Sequence, residues 1–285
     1  MKLGLALAGG GLKGVSYIGA LKALEELGIK FDYISGTSSG SMAAALYAAG
    51  YSCDDMKDII LNSYKGLIKI PKRPIVSAIG SYVTRRNFNM QGLIPGERLE
   101  NVIQKFVDAK KVSNISDVKI PLAITTVDTV TTKECIFMSH DYNLKNDDVD
   151  YIYNVPLGKV VRSSMAFPGI FTTSKYDRYD FIDGGTKDNL PIHVLKDMGA
   201  DRTLGLSFKL DEFNVDGRNV FGTLLRTVDI FSLKDVLAAQ KEANLAIEID
   251  ASGTSLMEID DIDKCIDIGY RAIMDNKDEI LKLVK

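Results

Sequence analysis

A serine flanked by two glycines, in the sequence Gly36-Thr37-Ser38-Ser39-Gly40, lies between a short apolar segment and an alanine-rich segment. The apolar segment predicts a strand and the alanine-rich segment predicts a helix, so the chain must reverse sharply at Ser38. The two glycines, Gly36 and Gly40, leave room for a strained strand-to-helix turn that exposes the serine hydroxyl. In this context Gly-x-Ser-x-Gly indicates a nucleophilic serine, and it requires a fold in which a strand leads directly into a helix.

Segments of strand and helix character alternate along the first half of the chain. After the first strand, apolar residues repeat at helical spacing from Ile18 to Leu27, and Gly28 follows as a stop signal. Such alternation is typical of α/β proteins in which helices cover a mainly parallel sheet. The predicted strands are 2–8, 31–35, 121–128, 133–138, 178–183 and 203–208, and the predicted helices are 15–27, 39–49, 53–63, 97–107, 156–166 and one from about 190.

A length of 285 residues lies near the upper limit for a single hydrophobic core. The sequence contains no linker rich in proline or serine and no internal repeat that would divide it. We therefore expect one domain over 1–285, with a cap or lid over 65–95 and a helical C-terminal portion over about 217–285.

Charge and cysteine content exclude several classes of function. A net charge of −3 provides no general attraction for nucleic acid, and no nucleic-acid recognition motif is present. The three cysteines, Cys53, Cys135 and Cys265, are far apart and form no paired motif, so we expect neither a disulfide framework nor a metal site. We expect no nucleic-acid partner, no metal and no cofactor.

The N-terminal apolar run, Leu3 to Ala8, is shorter than the apolar region of about 7 to 15 residues that a secretion signal requires. No run of 18 or more apolar residues occurs, so the sequence predicts no bilayer-spanning helix. We expect a cytoplasmic protein that acts at the inner membrane surface.

The segment from Ile59 to Gly96 contains no acidic residue. Basic residues alternate there with apolar ones, and such a segment can contact an anionic lipid surface. An ordinary solvated cap over the core is the alternative interpretation. The basic residues of this segment are Lys65, Lys69, Lys72, Arg73, Arg85 and Arg86.

A glycine-rich loop, Gly9-Gly10-Gly11-Leu12-Lys13-Gly14, joins the first strand to the first helix. Backbone amides at such a position can bind an anion, either a phosphate or the oxyanion of an acyl intermediate. The loop lacks the ending of a Walker motif, and beside a nucleophile turn an oxyanion is the better ligand, with Lys13 adding positive charge. The predicted oxyanion-hole residues are Gly9, Gly10, Gly11, Leu12, Lys13, Gly14 and Ser39.

An apolar strand ends at Asp183, and Gly184 and Gly185 then turn the chain away. Taken alone, Asp-Gly-Gly is an ordinary turn sequence. In an α/β protein, however, sites assemble where strands end, so Asp183 is a candidate catalytic carboxylate.

Together these motifs resemble the bacterial patatin-like phospholipases. The resemblance covers about residues 1–208 in order. The matching segments are Gly9–Gly14, Gly36–Gly40, Arg162–Gly169, Asp183–Gly185 and Asp188–Pro191. The resemblance implies a three-layer α/β/α fold and a lipid acyl hydrolase that uses a Ser-Asp dyad without a metal. Its substrates would be phospholipids, lysophospholipids or related acyl esters.

In that dyad Ser38 is the nucleophile and Asp183 is the base. The chain has only two histidines, His140 and His193, and only His193 falls after Asp183 in the order of a conventional serine hydrolase. A triad that includes His193 is therefore an alternative to the dyad. Two further alternatives are an acyl transferase that uses the same acyl-serine and a non-catalytic module that binds an anion or a lipid.

Overall fold

The structure is a computed structural model that describes residues 1–68, 92–210, 220–252 and 260–285. Its strands are β1 Leu3–Leu7, β2 Tyr33–Gly36, β3 Gly92–Ile94, β4 Leu122–Asp128, β5 Glu134–Met138, β6 Val149–Ile152, β7 Gly169–Phe171, β8 Ser174–Tyr176, β9 Tyr179–Asp183, β10 Arg202–Phe208 and β11 Leu245–Ile249. Its α-helices are α1 Ser16–Glu26, α2 Ser39–Ala48, α3 Cys53–Ile68, α4 Glu97–Ala109, α5 Leu157–Ser164, α6 Ile192–Asp197, α7 Val220–Glu242, α8 Asp260–Asp275 and α9 Lys277–Leu283.

The main sheet has the order β11-β10-β1-β2-β4-β5-β6, and β9 pairs with both β4 and β8. The five strands from β11 to β4 are parallel. Every residue of β1 is buried, as expected for a parallel strand covered by helices on both faces. The expected α/β fold, with a mainly parallel central sheet flanked by helices, is confirmed.

β9 runs antiparallel to β4, with Asp183 opposite Thr126. The sequence predicted this strand and its terminal carboxylate but not its direction. β2 ends where Gly36 pairs with Ile124, and Thr126, the partner of Asp183, lies two residues further along β4, so β9 ends just beyond the end of β2. The strand therefore brings Asp183 to the turn at Ser38 from outside the parallel part of the sheet.

The C-terminal portion contains a strand as well as helices, which differs from the helical portion expected over 217–285. β11 extends the sheet by pairing in parallel with β10, with Leu245 opposite Leu204. Ile247 and Ile249 are buried and Glu248 between them is exposed, but this strand of five residues lies between two long helices. Four further strands, β3, β6, β7 and β8, were not predicted from the sequence.

The helix α8 crosses α1 at very short range. A Cβ atom on Gly19 would lie 1.8 Å from the carbonyl oxygen of Ile266, and one on Gly269 would lie 1.9 Å from that of Ser16. Glycine is needed on both helices because their backbones touch. The C-terminal portion thus packs directly on the helix that follows the glycine-rich loop.

The expected cap over 65–95 falls mainly outside the described residues. Its described parts are the end of α3 and the short strand β3, which pairs with β7. The backbone of Lys65 belongs to α3, whereas the other five basic residues of the segment lie outside the described residues. Among the described helices, none combines the length and the apolar character needed to cross a bilayer.

Candidate active site

Ser38 occupies a strained turn between β2 and α2. Its backbone angles are φ 51° and ψ −122°, a region that residues with a side chain rarely adopt. A Cβ atom on Gly36 would lie 2.7 Å from the carbonyl oxygen of Gly40, and one on Gly40 would lie 2.2 Å from that of Leu7. Both flanking glycines are therefore required by close backbone contacts, and the strand-turn-helix context has the geometry of a nucleophile elbow.

The side chains of Ser38 and Asp183 are hydrogen-bonded to each other. Ser38 Oγ donates to Asp183 Oδ2 over 2.7 Å, while the amide of Gly185 donates to Asp183 Oδ1 over 2.8 Å. Asp183 is only 2% exposed. Burial raises the pKa of this carboxyl to about 6, and the two hydrogen bonds partly oppose that rise. Asp183 can thus accept a proton from Ser38 near neutral pH.

The end of α5 and the residues just after it contact both members of this pair. The amide of Ser38 donates to Ser164 Oγ over 2.9 Å, and the amide of Asp183 donates to the carbonyl oxygen of Ala166 over 3.0 Å. Ser164 was not predicted as a site residue. Its position in the segment Arg162–Gly169, one of those that carried the family resemblance, was the available signal.

The side chain of Arg162 also supports this segment. Its buried guanidinium donates to the carbonyl oxygen and to Oγ1 of Thr172, over 2.6 and 3.0 Å. A Cβ atom on Gly96 would collide with Arg162 Nε at 1.4 Å, so the loop before α4 also packs on this side chain. Arg162 therefore connects α5 to the chain on either side of it, and it supports the segment that contacts Ser38 and Asp183.

The glycine-rich loop is attached to the segment after Asp183. The amide of Gly9 donates to the backbone and side-chain oxygens of Asn189 over 3.2 and 3.1 Å, and Asn189 Nδ2 donates back to the carbonyl oxygen of Gly9 over 3.3 Å. Asn189 was not predicted as a site residue, although it lies in the matching segment Asp188–Pro191. It positions the loop beside Ser38, since a Cβ atom on Gly9 would lie 3.0 Å from Ser38 Cβ.

The loop is also attached to the start of α2. The amide of Gly10 donates to Ser39 Oγ over 3.1 Å, and a Cβ atom on Gly14 would lie 2.5 Å from Ser39 Cβ. Gly11 has φ +60° and begins a 3-10 turn that extends to Val15. The amides at the start of such a turn have no carbonyl partner within it, so they can bind an anion.

Neither histidine has the contacts of a catalytic triad member. His193 Nδ1 lies 3.4 Å from Asp188 Oδ2, and His140 Nδ1 is hydrogen-bonded to Ser139 Oγ over 2.8 Å. Within the described residues, the side chain that accepts a hydrogen bond from Ser38 Oγ is Asp183 itself. The geometry favours the dyad over the alternative triad with His193.

Comparisons with known proteins identify the family of this chain. The model of the family "Patatin-like phospholipase" matches residues 5–196. "Lysophospholipase NTE1" of Lodderomyces elongisporus is 28% identical over 216 residues, which are 76% of this chain and 13% of that protein. "Patatin-like phospholipase domain-containing protein 6" of Mus musculus is 28% identical over 208 residues, which are 72% of this chain and 13% of that protein.

Among solved structures, VipD from Legionella pneumophila has a similar fold, with a TM-score of 0.51 at 16% sequence identity. That similarity covers 98% of this chain and 67% of VipD, and it concerns the fold alone. The resemblance carried by the sequence motifs is confirmed by the family match over residues 5–196. The chain belongs to the patatin-like phospholipase family.

Proposed function

We propose that this chain hydrolyses fatty acyl esters of phospholipids, lysophospholipids or related lipids through Ser38 and Asp183. The observation that carries the proposal is the 2.7 Å hydrogen bond between Ser38 Oγ and the buried Asp183 Oδ2. Family membership and the printed names of the relatives, which include a lysophospholipase, support a lipid ester as substrate.

In the first half of the reaction, Ser38 Oγ attacks the carbonyl carbon of the ester while Asp183 Oδ2 accepts the hydroxyl proton. The resulting tetrahedral intermediate collapses by breaking the bond to the alcohol oxygen. Asp183 returns its proton to that oxygen, so the alcohol leaves neutral and the acyl group stays on Ser38. An alcohol is a better leaving group than an amine, which suits a base as weak as a carboxylate.

In the second half, the ionised Asp183 accepts a proton from a water molecule that attacks the acyl-serine. The second tetrahedral intermediate expels Ser38 Oγ, which regains its proton from Asp183, and the free fatty acid departs. With its pKa raised to about 6, Asp183 is a stronger base than a solvated aspartate and is still mostly ionised at pH 7.

We assign the oxyanion hole to the amides of Gly11, Leu12 and Ser39. Gly11 and Leu12 open the 3-10 turn and Ser39 opens α2, so none of these amides has a carbonyl partner within its own helix. The amides of three other predicted donors, Gly9, Gly10 and Lys13, already donate within the protein. The part we propose for Gly9, Gly10 and Gly14 is to fix the loop against Asn189, Phe208 and Ser39, with which they are in close contact.

We also propose that the basic segment over 59–96 rests against an anionic membrane surface on the cytoplasmic side. Its sequence supports this, because the segment contains six basic residues and no acidic one. Each basic residue adds about 1 kcal/mol of attraction near such a surface. Sedimentation with vesicles tests this: binding should require anionic lipid and should weaken when Lys69 and Arg73 are changed to glutamate. Equal binding to neutral vesicles would contradict it.

We propose further that residues 1–285 form one domain in which the segment over 65–95 caps the core. The close crossing of α1 and α8 supports a single unit, because it joins the C-terminal portion to the motif-bearing part. Thermal unfolding should then occur in one cooperative transition. Two separate transitions would count against it.

Fatty acid release tests the proposed activity. The purified chain is mixed with vesicles of phosphatidylcholine or with lysophosphatidylcholine, and free fatty acid is measured for wild type and for Ser38→Ala. Release by wild type alone supports the proposal. An acyl transferase would yield acylated alcohol when glycerol is added, and a binding module would release nothing and leave Ser38 unlabelled by a fluorophosphonate.

A further inference from the structure

Three residues distant in the sequence meet in a second polar site. Glu134 opens β5, Asp188 follows the turn after β9, and His193 lies in the first turn of α6. One carboxylate oxygen of each acid and one ring nitrogen of His193 all lie within 4.8 Å of one another. They line a cavity of about 230 Å³ that is separate from the Ser38–Asp183 hydrogen bond.

Both carboxylates have a buried oxygen that lacks a hydrogen-bond partner in the described part of the chain. Glu134 is 9% exposed, and its Oε1 makes no hydrogen bond. Asp188 Oδ2 lies 3.4 Å from His193 Nδ1, but the geometry is not that of a hydrogen bond. A buried carboxylate oxygen without a hydrogen-bond partner lowers the stability of the folded chain. A positive charge at this site would offset that penalty.

The walls of the cavity add negative charge. Asp235 and Glu242 on α7 face the same space, against one lysine, Lys187. Glu242 already pairs with Lys196 Nζ over 3.0 Å and does not belong to the innermost group. The cavity is thus acidic on two sides, with a single imidazole among its carboxylates.

We propose that Glu134, Asp188 and His193 bind one divalent transition-metal cation of the Zn²⁺ or Mn²⁺ kind. One imidazole nitrogen with two carboxylate oxygens is a ligand set that such cations accept. Bonds of about 2.1 Å in tetrahedral geometry place ligand atoms about 3.4 Å apart, so small side-chain rotations close the group from 4.8 Å. Water completes the coordination on the open side.

A cation here stabilises the segment that holds the glycine-rich loop. The carbonyl oxygen of Asp188 accepts a hydrogen bond from Thr37 Oγ1 over 3.0 Å, and the next residue, Asn189, is bonded to Gly9. Binding at Asp188 therefore fixes the backbone between the elbow and the loop. The three ligands are up to 59 positions apart (134 to 193), so motif spacing could not have revealed them.

The test uses the full chain, treated with a chelator and then dialysed into metal-free buffer. Zn²⁺ and Mn²⁺ are added in turn, and binding is followed by calorimetry and by the rise in thermal midpoint that a ligand of the folded state produces. Wild type should bind one equivalent. Glu134→Gln and His193→Ala should each weaken binding by about tenfold or more, as loss of a metal partner does.

The other histidine of the chain provides the matched control. His140 is hydrogen-bonded to Ser139 outside the cavity, so His140→Ala should bind the cation as wild type does. His193 is 39% exposed, so His193→Ala should fold, and circular dichroism below the thermal midpoint verifies this for each variant. Absence of binding by wild type, unchanged binding by both Glu134→Gln and His193→Ala, or an equal loss in His140→Ala would overturn the proposal.

Discussion

Ser38 Oγ and Asp183 Oδ2 are joined by a 2.7 Å hydrogen bond across 145 positions of sequence. The carboxylate is buried and its second oxygen is held by the amide of Gly185. Because the serine contacts the carboxylate directly, the proton can move between them without an intervening imidazole. In the described structure neither side chain is hydrogen-bonded to a further side chain. Substitution of either residue therefore breaks this one contact between side chains.

Removing either member of the dyad should abolish ester hydrolysis. For Ser38→Ala and for Asp183→Asn we expect the rate of fatty acid release to fall by about 10³-fold or more. Circular dichroism should show an unchanged fold, because both substitutions keep the shape of the site. Asp177→Asn, in the exposed turn before β9, is the matched control and should keep full activity. Substantial hydrolysis by either dyad variant would refute the mechanism.

Hydrolysis should depend on pH through Asp183. The base must be ionised, and burial raises its pKa to about 6. We therefore expect kcat/KM to be half-maximal at about pH 6 and to fall tenfold for each further unit of acid. A profile measured between pH 4.5 and 8 checks this. An unaltered rate down to pH 5 would contradict the raised pKa.

The same shift should appear in stability. A carboxyl whose pKa rises from 3.8 to about 6 on folding holds its proton more tightly in the folded state, so its contribution is lost as pH rises through 6. The asparagine side chain of Asp183→Asn does not ionise, so this variant does not lose stability in that way as the pH rises. Its unfolding free energy should equal that of wild type near pH 4 and exceed it by up to about 3 kcal/mol at pH 7 to 8. Urea unfolding at both pH values measures the difference, and a constant difference would exclude this cause.

Ser164 should act as a positioning residue for the elbow. Ser164→Ala leaves the amide of Ser38 without its acceptor, which should cost about 1 to 3 kcal/mol of stability and lower kcat about tenfold. Ser163→Ala is the matched control, because Ser163 Oγ bonds to Ser174 Oγ over 2.9 Å and not to the dyad. Its stability should fall similarly while kcat stays near that of wild type. Equal losses of kcat would leave Ser164 with a structural role only.

Substitution by alanine at two glycines of the loop should affect different properties, mainly stability at Gly11 and kcat at Gly14. Gly11 has φ +60° but open space around a Cβ atom, so Gly11→Ala should cost about 1 to 2 kcal/mol through backbone strain and retain its amide and most activity. Gly14→Ala places a Cβ atom 2.5 Å from Ser39 Cβ and should displace the loop, with a large loss of kcat. The thermal midpoint and kcat of Gly11→Ala and of Gly14→Ala, each compared with wild type, test this prediction. Full activity in Gly14→Ala would show that the loop tolerates displacement.

Much of the fold could be predicted because local patterns determine it. The elements that carry the motifs, β1, α1, β2 and α2, follow from apolar periodicity and glycine stops. β11 was not predicted because its run of five residues is short beside the long helices on either side, although Ile247 and Ile249 alternate with the exposed Glu248; its strand partner is β10. The antiparallel direction of β9 likewise depends on the path of the chain before it. The spacing of apolar residues carries no information about that path.

The sequence predicted the two side chains that the structure joins by a hydrogen bond, but not the residues that support them. Ser38 and Asp183 each lie in a motif whose glycines mark a turn. Ser164 and Asn189 are 126 and 180 positions from the residues they hold, Ser38 and Gly9, and a serine or an asparagine alone carries no such information. Their roles come from tertiary contacts alone.

The contacts between loop and elbow limit how this chemistry could be moved to another protein. The carbonyl of Leu7 leaves no room for a side chain at Gly40, while Ser39 accepts a hydrogen bond from the amide of Gly10 and occupies the space that a side chain on Gly14 would fill. A designer who grafted only the five-residue serine motif would leave these neighbours behind. The smallest transferable unit comprises β1 and β2, the turns at their ends, the helix starts that follow, and the end of β9 that carries Asp183.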